Sequence, residues 1–416
     1  MTRVRTLARL GAVLLGVLSV AACSRRPPGP GAAQRAIRFI DDDYPRALAD
    51  ARARGVPLFV DAWATWCHSC LSMRTFVFGD PRLAPLAGRY AWLSLDTERE
   101  GNAAVVTRLG VKVLPTLYVI APSDERVLLA WPGSLTAPEL ATLLDDTRKG
   151  DGPRGPLRID AEVTHASREE RVSDCAAMAA REAPAMPEGT AVADVVRTGI
   201  ECAEKLPSAA GRSSLESLAA LGERIAADAS QPVLADDRSD LYDHVVGAYG
   251  ALDRPADASR VARVWSAFLE EQAAAAATPS ARAVFDSHRL RAFTVVGEPG
   301  RAIPMLEQSR RDFPGDYNPP ARLAATYLAM KRYADALAAV DQALGLAYGP
   351  RKLRLWSLEA EILAAEGNAT AAAEALREGL VFAGTVALPE SYPKQVEAMR
   401  RQLAALSAGD AGPDAH

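Results

Sequence analysis

At 416 residues the chain is longer than a single core usually organises, so two or three domains are expected. Apolar residues make up 49% and charged residues 24%, ordinary for a globular protein, and the net charge of −4 gives no electrostatic footprint for nucleic acid. There is no glycine-rich phosphate loop and no dinucleotide fingerprint, so no cofactor is expected and electrons must come from elsewhere.

Arg3, Arg5 and Arg9 precede the apolar run Leu10 to Ala22, which is too short for a bilayer that needs about twenty residues. The run ends in Val20-Ala21-Ala22-Cys23, which resembles the lipobox of bacterial lipoprotein signal peptides. The resemblance implies that residues 1–23 are a signal ending at a lipidated Cys23 and that the chain is anchored in a bacterial cell envelope, facing the periplasm. Ser24 in place of Asp favours the outer membrane over the inner. The alternative is an ordinary secretory signal cleaved after Ala21 or Ala22. Residues 24–36 are rich in Pro and Gly and read as a tether.

Residues 37–149 alternate strands and helices. Strands are expected at Ile37–Ile40, Pro57–Trp63, Tyr90–Leu95, Thr116–Ile120 and Val127–Trp131. Helices are expected at Tyr44–Arg54, Cys67–Phe76, Glu100–Leu109 (closed by Gly110) and Ala137–Arg148. The order βαβαβαββα describes one α/β domain.

Residues 150–160 read as a linker, after which helical patterns replace strands. Ser167-Arg168-Glu169-Glu170 has the form of a capping box opening a helix through Ala180, and a second helix is expected over Ala191–Lys205 after Pro184 and Pro187. Residues 161–282 form a helical region, with Tyr249-Gly250, Ala258 and Trp265 suggesting a degenerate hairpin. Over 283–386 a period emerges: Phe293, Ala302, Leu306 and Pro314 recur 34 residues later as Tyr327, Ala336, Val340 and Tyr348. A third copy has Ala360, Leu363, Ala372 and Leu376. A helix-turn-helix of this period resembles tetratricopeptide repeats, which implies protein partners; a generic helical bundle is the alternative. Residues 387–408 read as a capping helix and 409–416 as a disordered tail.

The chemistry centres on Trp66-Cys67-His68-Ser69-Cys70. Two cysteines at this spacing close into a small reducible ring, and a helix N-terminus stabilises a thiolate at the first. Half of a zinc site is the rival, but no second Cys or His pair of ligand spacing occurs, so no metal is expected. If Cys23 is lipidated, four of the five cysteines remain, and an exported compartment then allows a Cys175–Cys202 bridge between two helices. Buried free thiols are the alternative.

With Asp61 six residues before Cys67, Trp63 and Trp66 flanking the motif, Leu114-Pro115-Thr116 following it and Gly133 further on, residues 37–149 resemble a thioredoxin fold. The run from Cys70 through Phe78, Asp80 and Pro81 resembles the C-terminal periplasmic domain of the DsbD-type disulfide reductants. Cys67 is then the exposed nucleophile, Cys70 the buried resolving thiol and Asp61 its general base, unless Asp61 simply faces solvent. The resemblance implies a cis Pro115, with Leu114 and Thr116 beside a bound substrate segment, and Trp66 at the rim. A protonated His68, next to Ser69, would favour the Cys67 thiolate; a solvent-facing His68 would do little. Trp92 stands where the family has a lysine near the carboxylate, which puts relay through that lysine in doubt. These features together imply a reductant of protein disulfides fed by a membrane-embedded electron donor. An oxidase or isomerase, or a non-enzymatic repeat scaffold, are the other readings.

Overall fold

The computed structural model describes residues 37–187, 189–389 and 392–409. The expected signal segment, Cys23, the tether and the tail beyond Gly409 lie outside these residues.

The N-terminal part is a five-stranded sheet: β1 (Phe39–Asp41), β2 (Leu58–Trp63), β3 (Ala91–Asp96), β4 (Thr116–Ile120) and β5 (Val127–Pro132), in the order β1-β3-β2-β4-β5. The first three run parallel; β4 and β5 are antiparallel additions. β2 and β3 are buried almost throughout, as central strands of a covered sheet are, whereas β5 is largely exposed at the edge. Helices α1 (Tyr44–Arg54), α2 (His68–Ser72), α3 (Ala103–Leu109) and α4 (Ala137–Lys149) connect or follow the strands. Local signals set their limits. Asp43 caps α1 through the Arg46 N–H, Gly110 ends α3 in the left-handed region, and Thr136 with Glu139 forms a capping box on α4. The helix expected from Cys67 to Phe76 is α only over α2 and continues as a π turn, Met73–Val77.

The remaining chain is helical. α5 (Pro156–Arg168), α6 (Val172–Glu182), α7 (Thr190–Glu204), α8 (Ala209–Ala227), α9 (Ala235–Ala251) and α10 (Pro255–Ala275) stack on one apolar core. Two boundaries differ from expectation. The linker ends at Gly155, because Pro156 suits the first turn of α5. Ser167–Glu170 opens no helix: α5 stops at Arg168, Glu170 takes a positive φ, and α6 starts at Val172. The serine lies inside a helix already under way, so its side chain caps nothing. α6 and α7 approach so closely that a Cβ on Gly199 would collide with the Ala179 methyl. The Cys175–Cys202 disulfide ties the same two helices, with Cα atoms 6.1 Å apart.

After the short α11 (Pro279–Ala283) come three hairpins. They are α12 (Asp286–Val295) with α13 (Ala302–Asp312), α14 (Asn318–Ala329) with α15 (Tyr333–Leu346), and α16 (Lys352–Glu366) with α17 (Ala369–Ala383). Ala302, Ala336 and Ala372 are buried at equivalent points, with Leu306, Val340 and Leu376 one turn further on. α18 (Tyr392–Gly409) covers the last hairpin, running one residue past the expected end of the capping helix. Trp265 is fully buried in the α9–α10 hairpin and donates to Ser239. None of the described helices is long and apolar enough to cross a membrane.

The helical part closes over the C-terminal end of β2 and β3. Tyr348 donates to Asp96 (2.5 Å), Tyr392 donates to Glu98 (2.9 Å), and the Arg351 N–H donates to the second Glu98 oxygen (3.0 Å). Gly349 sits at a positive φ against the Glu98 carbonyl, where any Cβ would collide with it.

Candidate active site

β2 ends at Trp63, and a tight turn places Cys67 as the N-cap of α2 in extended conformation, its N–H on the Ala64 carbonyl. The Cys67 Sγ accepts the Cys70 N–H at 3.1 Å, and the two cysteines are joined as a disulfide with Cα atoms 5.2 Å apart. A sulfur that carries a backbone N–H at a helix start is better placed to bear negative charge once the bond is reduced. The Leu114–Pro115 peptide is cis. Leu114 packs with Trp63, Trp66 and Ala64 around the cysteine pair, and Thr116 Oγ1 donates to the Val113 carbonyl. Gly133 donates to the Pro115 carbonyl.

Cys67 is not the open nucleophile expected from the sequence. It is only 4% exposed, and Cys70 is wholly buried. The turn before it is held by the repeats: Thr65 donates to the Tyr317 hydroxyl, Asn318 donates to Thr65, and the Arg351 guanidinium lies 4.6 Å from the Trp66 ring. Trp66 in turn donates to Glu98 (3.1 Å). Glu98 therefore joins the rim tryptophan to Tyr392 and the Arg351 backbone; burial pushes its carboxyl above the usual range. No motif marks Glu98, because its partners in the helical part come from about 250 to 290 residues away. An open cleft of about 620 Å³ runs beside the site, lined by Trp63, Thr65 and Leu71 and, from the helical part, Phe313, Tyr317 and Tyr348.

Asp61 is fully buried, which overturns the solvent-facing alternative, and neither carboxylate oxygen has a hydrogen-bond partner among the described residues. Desolvation raises its pKa to about 7, with Arg74 pulling the other way from 3.7 Å. The Arg74 guanidinium lies over the Trp63 ring, 4.0 Å from its centre, and donates to Ser94 Oγ (2.6 Å). Trp92 does not occupy the place opposite Asp61. In the parallel register Asp61 pairs with Ser94, while Trp92 pairs with Phe59 inside an aromatic cluster with Phe39 and Tyr90. The cation beside the carboxylate thus comes from the helical turn after Cys70, not from β3.

His68 also departs from a free, solvent-facing ring. Its Nδ1 is 3.1 Å from Ser69 Oγ and 3.5 Å from Asp236, and its Nε2 is 3.7 Å from Asp240. Burial opposes its protonation, but the two carboxylates outweigh that and raise its pKa. A charge on His68 is therefore largely compensated by α9 and has less left to offer the Cys67 sulfur.

Residues 39–122 match the family model described as thioredoxin-like, and residues 296–362 match a tetratricopeptide repeat model. The chain is similar to the thiol:disulfide interchange protein DsbD of Cronobacter sakazakii, with 32% identity over 106 residues, covering 25% of this chain and 18% of that protein. It is also similar to DsbD of Pseudoalteromonas atlantica, with 30% identity over 78 residues, covering 18% and 13% respectively. The chain thus spans less than a fifth of these curated relatives. A solved structure titled assembly chaperone of RpL4 aligns over 62% of this chain and all of its own, at 13% identity and a TM-score of 0.32, too loosely to bear on the fold. Sheet, cysteine pair, cis proline and family match agree: the chain carries a thioredoxin-like domain with a Cys-x-x-Cys centre of the thiol–disulfide oxidoreductase type, followed by tetratricopeptide repeats.

Proposed function

We propose that the protein is an envelope thiol–disulfide oxidoreductase, tethered to a membrane through Cys23, that reduces disulfides in specific client proteins. The observation that carries this reading is the Cys67 sulfur at the start of α2, accepting the Cys70 N–H, in a domain that buries Asp61 and presents Leu114 on a cis proline. In the dithiol form the Cys67 thiolate attacks one sulfur of the client disulfide, that S–S bond breaks, and one client thiolate leaves. Asp61 takes the Cys70 proton; the Cys70 thiolate then attacks the Cys67 sulfur and releases the second client thiol. The client gains two electrons and two protons, and the protein is left with the Cys67–Cys70 disulfide. A membrane-embedded dithiol donor restores it by the same exchange.

The helical part would choose the client. Its residues Phe313, Tyr317 and Tyr348 line the cleft beside Thr65, so a segment approaching Cys67 passes between the two regions. An oxidase or isomerase is the second reading; the raised pKa of His68 beside the nucleophile favours it only to the extent that Asp236 and Asp240 leave the imidazolium charge uncompensated. A Cys70→Ala variant tests the proposal in the envelope. It is expected to accumulate mixed disulfides through Cys67, and Cys67→Ala to abolish them. Recovery of non-covalent partners alone, unchanged by Cys67→Ala, would indicate a scaffold. A reduction potential near −120 mV, rather than nearer −270 mV, would indicate an oxidant.

A further inference from the structure

Where the helical part meets the cysteine motif, four side chains from three separate elements point their donor atoms at one another. His68 opens α2, Asp236 and Asp240 stand one turn apart on the same face of α9, and His288 comes from α12. All four ligand atoms lie within 4.8 Å of one another. The closest approaches are 3.5 Å (His68 Nδ1–Asp236), 3.7 Å (His68 Nε2–Asp240) and 3.8 Å (His288 Nδ1–Asp240), and the two imidazole rings are centred 4.1 Å apart.

These distances are long for hydrogen bonds, and with one atom per residue the four lie within 4.8 Å of one another, near enough for the side chains to draw in on a shared cation. Ligands at about 2.0–2.1 Å from a tetrahedral ion sit about 3.4 Å from each other. Asp236 is fully buried, and both its carboxylate oxygens lack a hydrogen-bond partner among the described residues. His288 is 5% exposed, and its Nε2 also has none. Orphaned buried donors and acceptors of this kind cost free energy unless something unites them. Protonating His68 would answer part of the carboxylate charge but leave His288 Nε2 without a partner among the described residues. Asp237 is directed elsewhere, accepting from Ser134, while the Arg322 guanidinium places a positive charge near both His68 and His288.

We propose that His68, Asp236, Asp240 and His288 form a binding site for a first-row divalent transition-metal ion, Zn²⁺ being the best match to two imidazoles and two carboxylates in four-coordination. A bound ion ties the residue after Cys67 to α9 and α12, so its occupancy clamps the helical part onto the cysteine motif. The site lies outside the sulfur chemistry and stands whether or not the chain reduces disulfides.

The test uses the full chain with Cys67–Cys70 kept oxidised, so that no thiol competes for metal. Equilibrium dialysis against Zn²⁺ is expected to load one ion per chain, Co²⁺ to give the intense visible bands of a tetrahedral site, and Zn²⁺ to raise the thermal midpoint. His288→Gln and Asp236→Asn, which preserve size, are expected to bind at least about tenfold more weakly and to lose the midpoint shift. His68→Gln, at the less buried end of the cluster, makes the same test if either buried variant fails to fold by circular dichroism. His244→Gln, a neighbour on α9 outside the donor set, should bind as the parent does. Failure of the parent to bind near-stoichiometric Zn²⁺ at micromolar concentration, or undiminished binding in a His68→Gln/His288→Gln double variant, would overturn the proposal. Insulin reduction, measured on separate metal-free aliquots with dithiothreitol supplied to keep Cys67–Cys70 reduced, reports on the redox reading separately.

Discussion

The described residues hold two disulfides whose surroundings could hardly differ more. Cys175–Cys202 lies in the helical part, between two helices brought close by Gly199, inside an apolar cluster with Ala176, Ala179 and Val196. Cys67–Cys70 lies at the end of a central strand, with a backbone N–H on one sulfur, a buried carboxylate in the strand below and a charged contact surface above. Both pairs are nearly inaccessible, so burial alone does not separate a structural bridge from a reactive one. In the proposed reading the difference is whether the protein provides for the charged state: a helix-start N–H for a Cys67 thiolate, and the buried Asp61 carboxylate for the Cys70 proton.

The comparison can be broken most sharply by removing the sulfurs. Cys67→Ser is expected to abolish reduction of insulin or of a client disulfide while leaving the unfolding curve nearly unchanged. Cys175→Ser/Cys202→Ser should do the reverse, retaining exchange activity but losing about 3–4 kcal/mol in urea unfolding, because the bridge closes a loop with a sequence separation of 27. If the double variant lost activity at unchanged stability, the assignment of roles would be wrong.

Asp61 supplies a second, smaller distinction. Its substitution by Asn is expected to slow the resolving step about a hundredfold and to flatten the rise in rate that the parent shows across about pH 7. Arg74→Met, which removes the neighbouring cation, should move that rise to higher pH. Stability carries the same signature. The folded state keeps the Asp61 proton up to about pH 7, whereas the unfolded chain releases it near 3.8. Between those values the folded state binds more protons, so Asp61's contribution to stability is full below the window and lost as pH rises through it. Urea unfolding at several pH values should show this slope in the parent and not in Asp61→Asn.

The smallest effect concerns the contact between the regions. Tyr392→Phe deletes the hydroxyl that donates to Glu98 and is expected to cost about 1 kcal/mol. Thiol labelling during a dithiothreitol time course should then show Cys67–Cys70 opening faster, with Cys175–Cys202 unaffected. Equal acceleration of both would mean general loosening rather than release of the active-site turn.

Much of this was legible in the chain because it is written locally. The apolar run ending at Trp63, the Cys67–Cys70 spacing, the Leu114-Pro115-Thr116 segment and the 34-residue recurrence of Ala302 and Ala336 each depend on neighbours within one or two elements. Helix limits failed where a local signal had two uses: Ser167 to Glu170 reads as a start, yet the residues before it are already helical. Thus the sequence by itself determined the sheet-then-repeats architecture, the redox pair and the buried carboxylate. Tertiary structure alone decided that Arg74 rather than a β3 residue attends Asp61, that Glu98 and the repeats cover Cys67, and that His68 meets Asp236, Asp240 and His288. The physical reason is separation: hydrophobic periodicity records which face of an element is buried, but not which distant element buries it. The polar partners at such a junction follow no period, and only the packed chain brings them together.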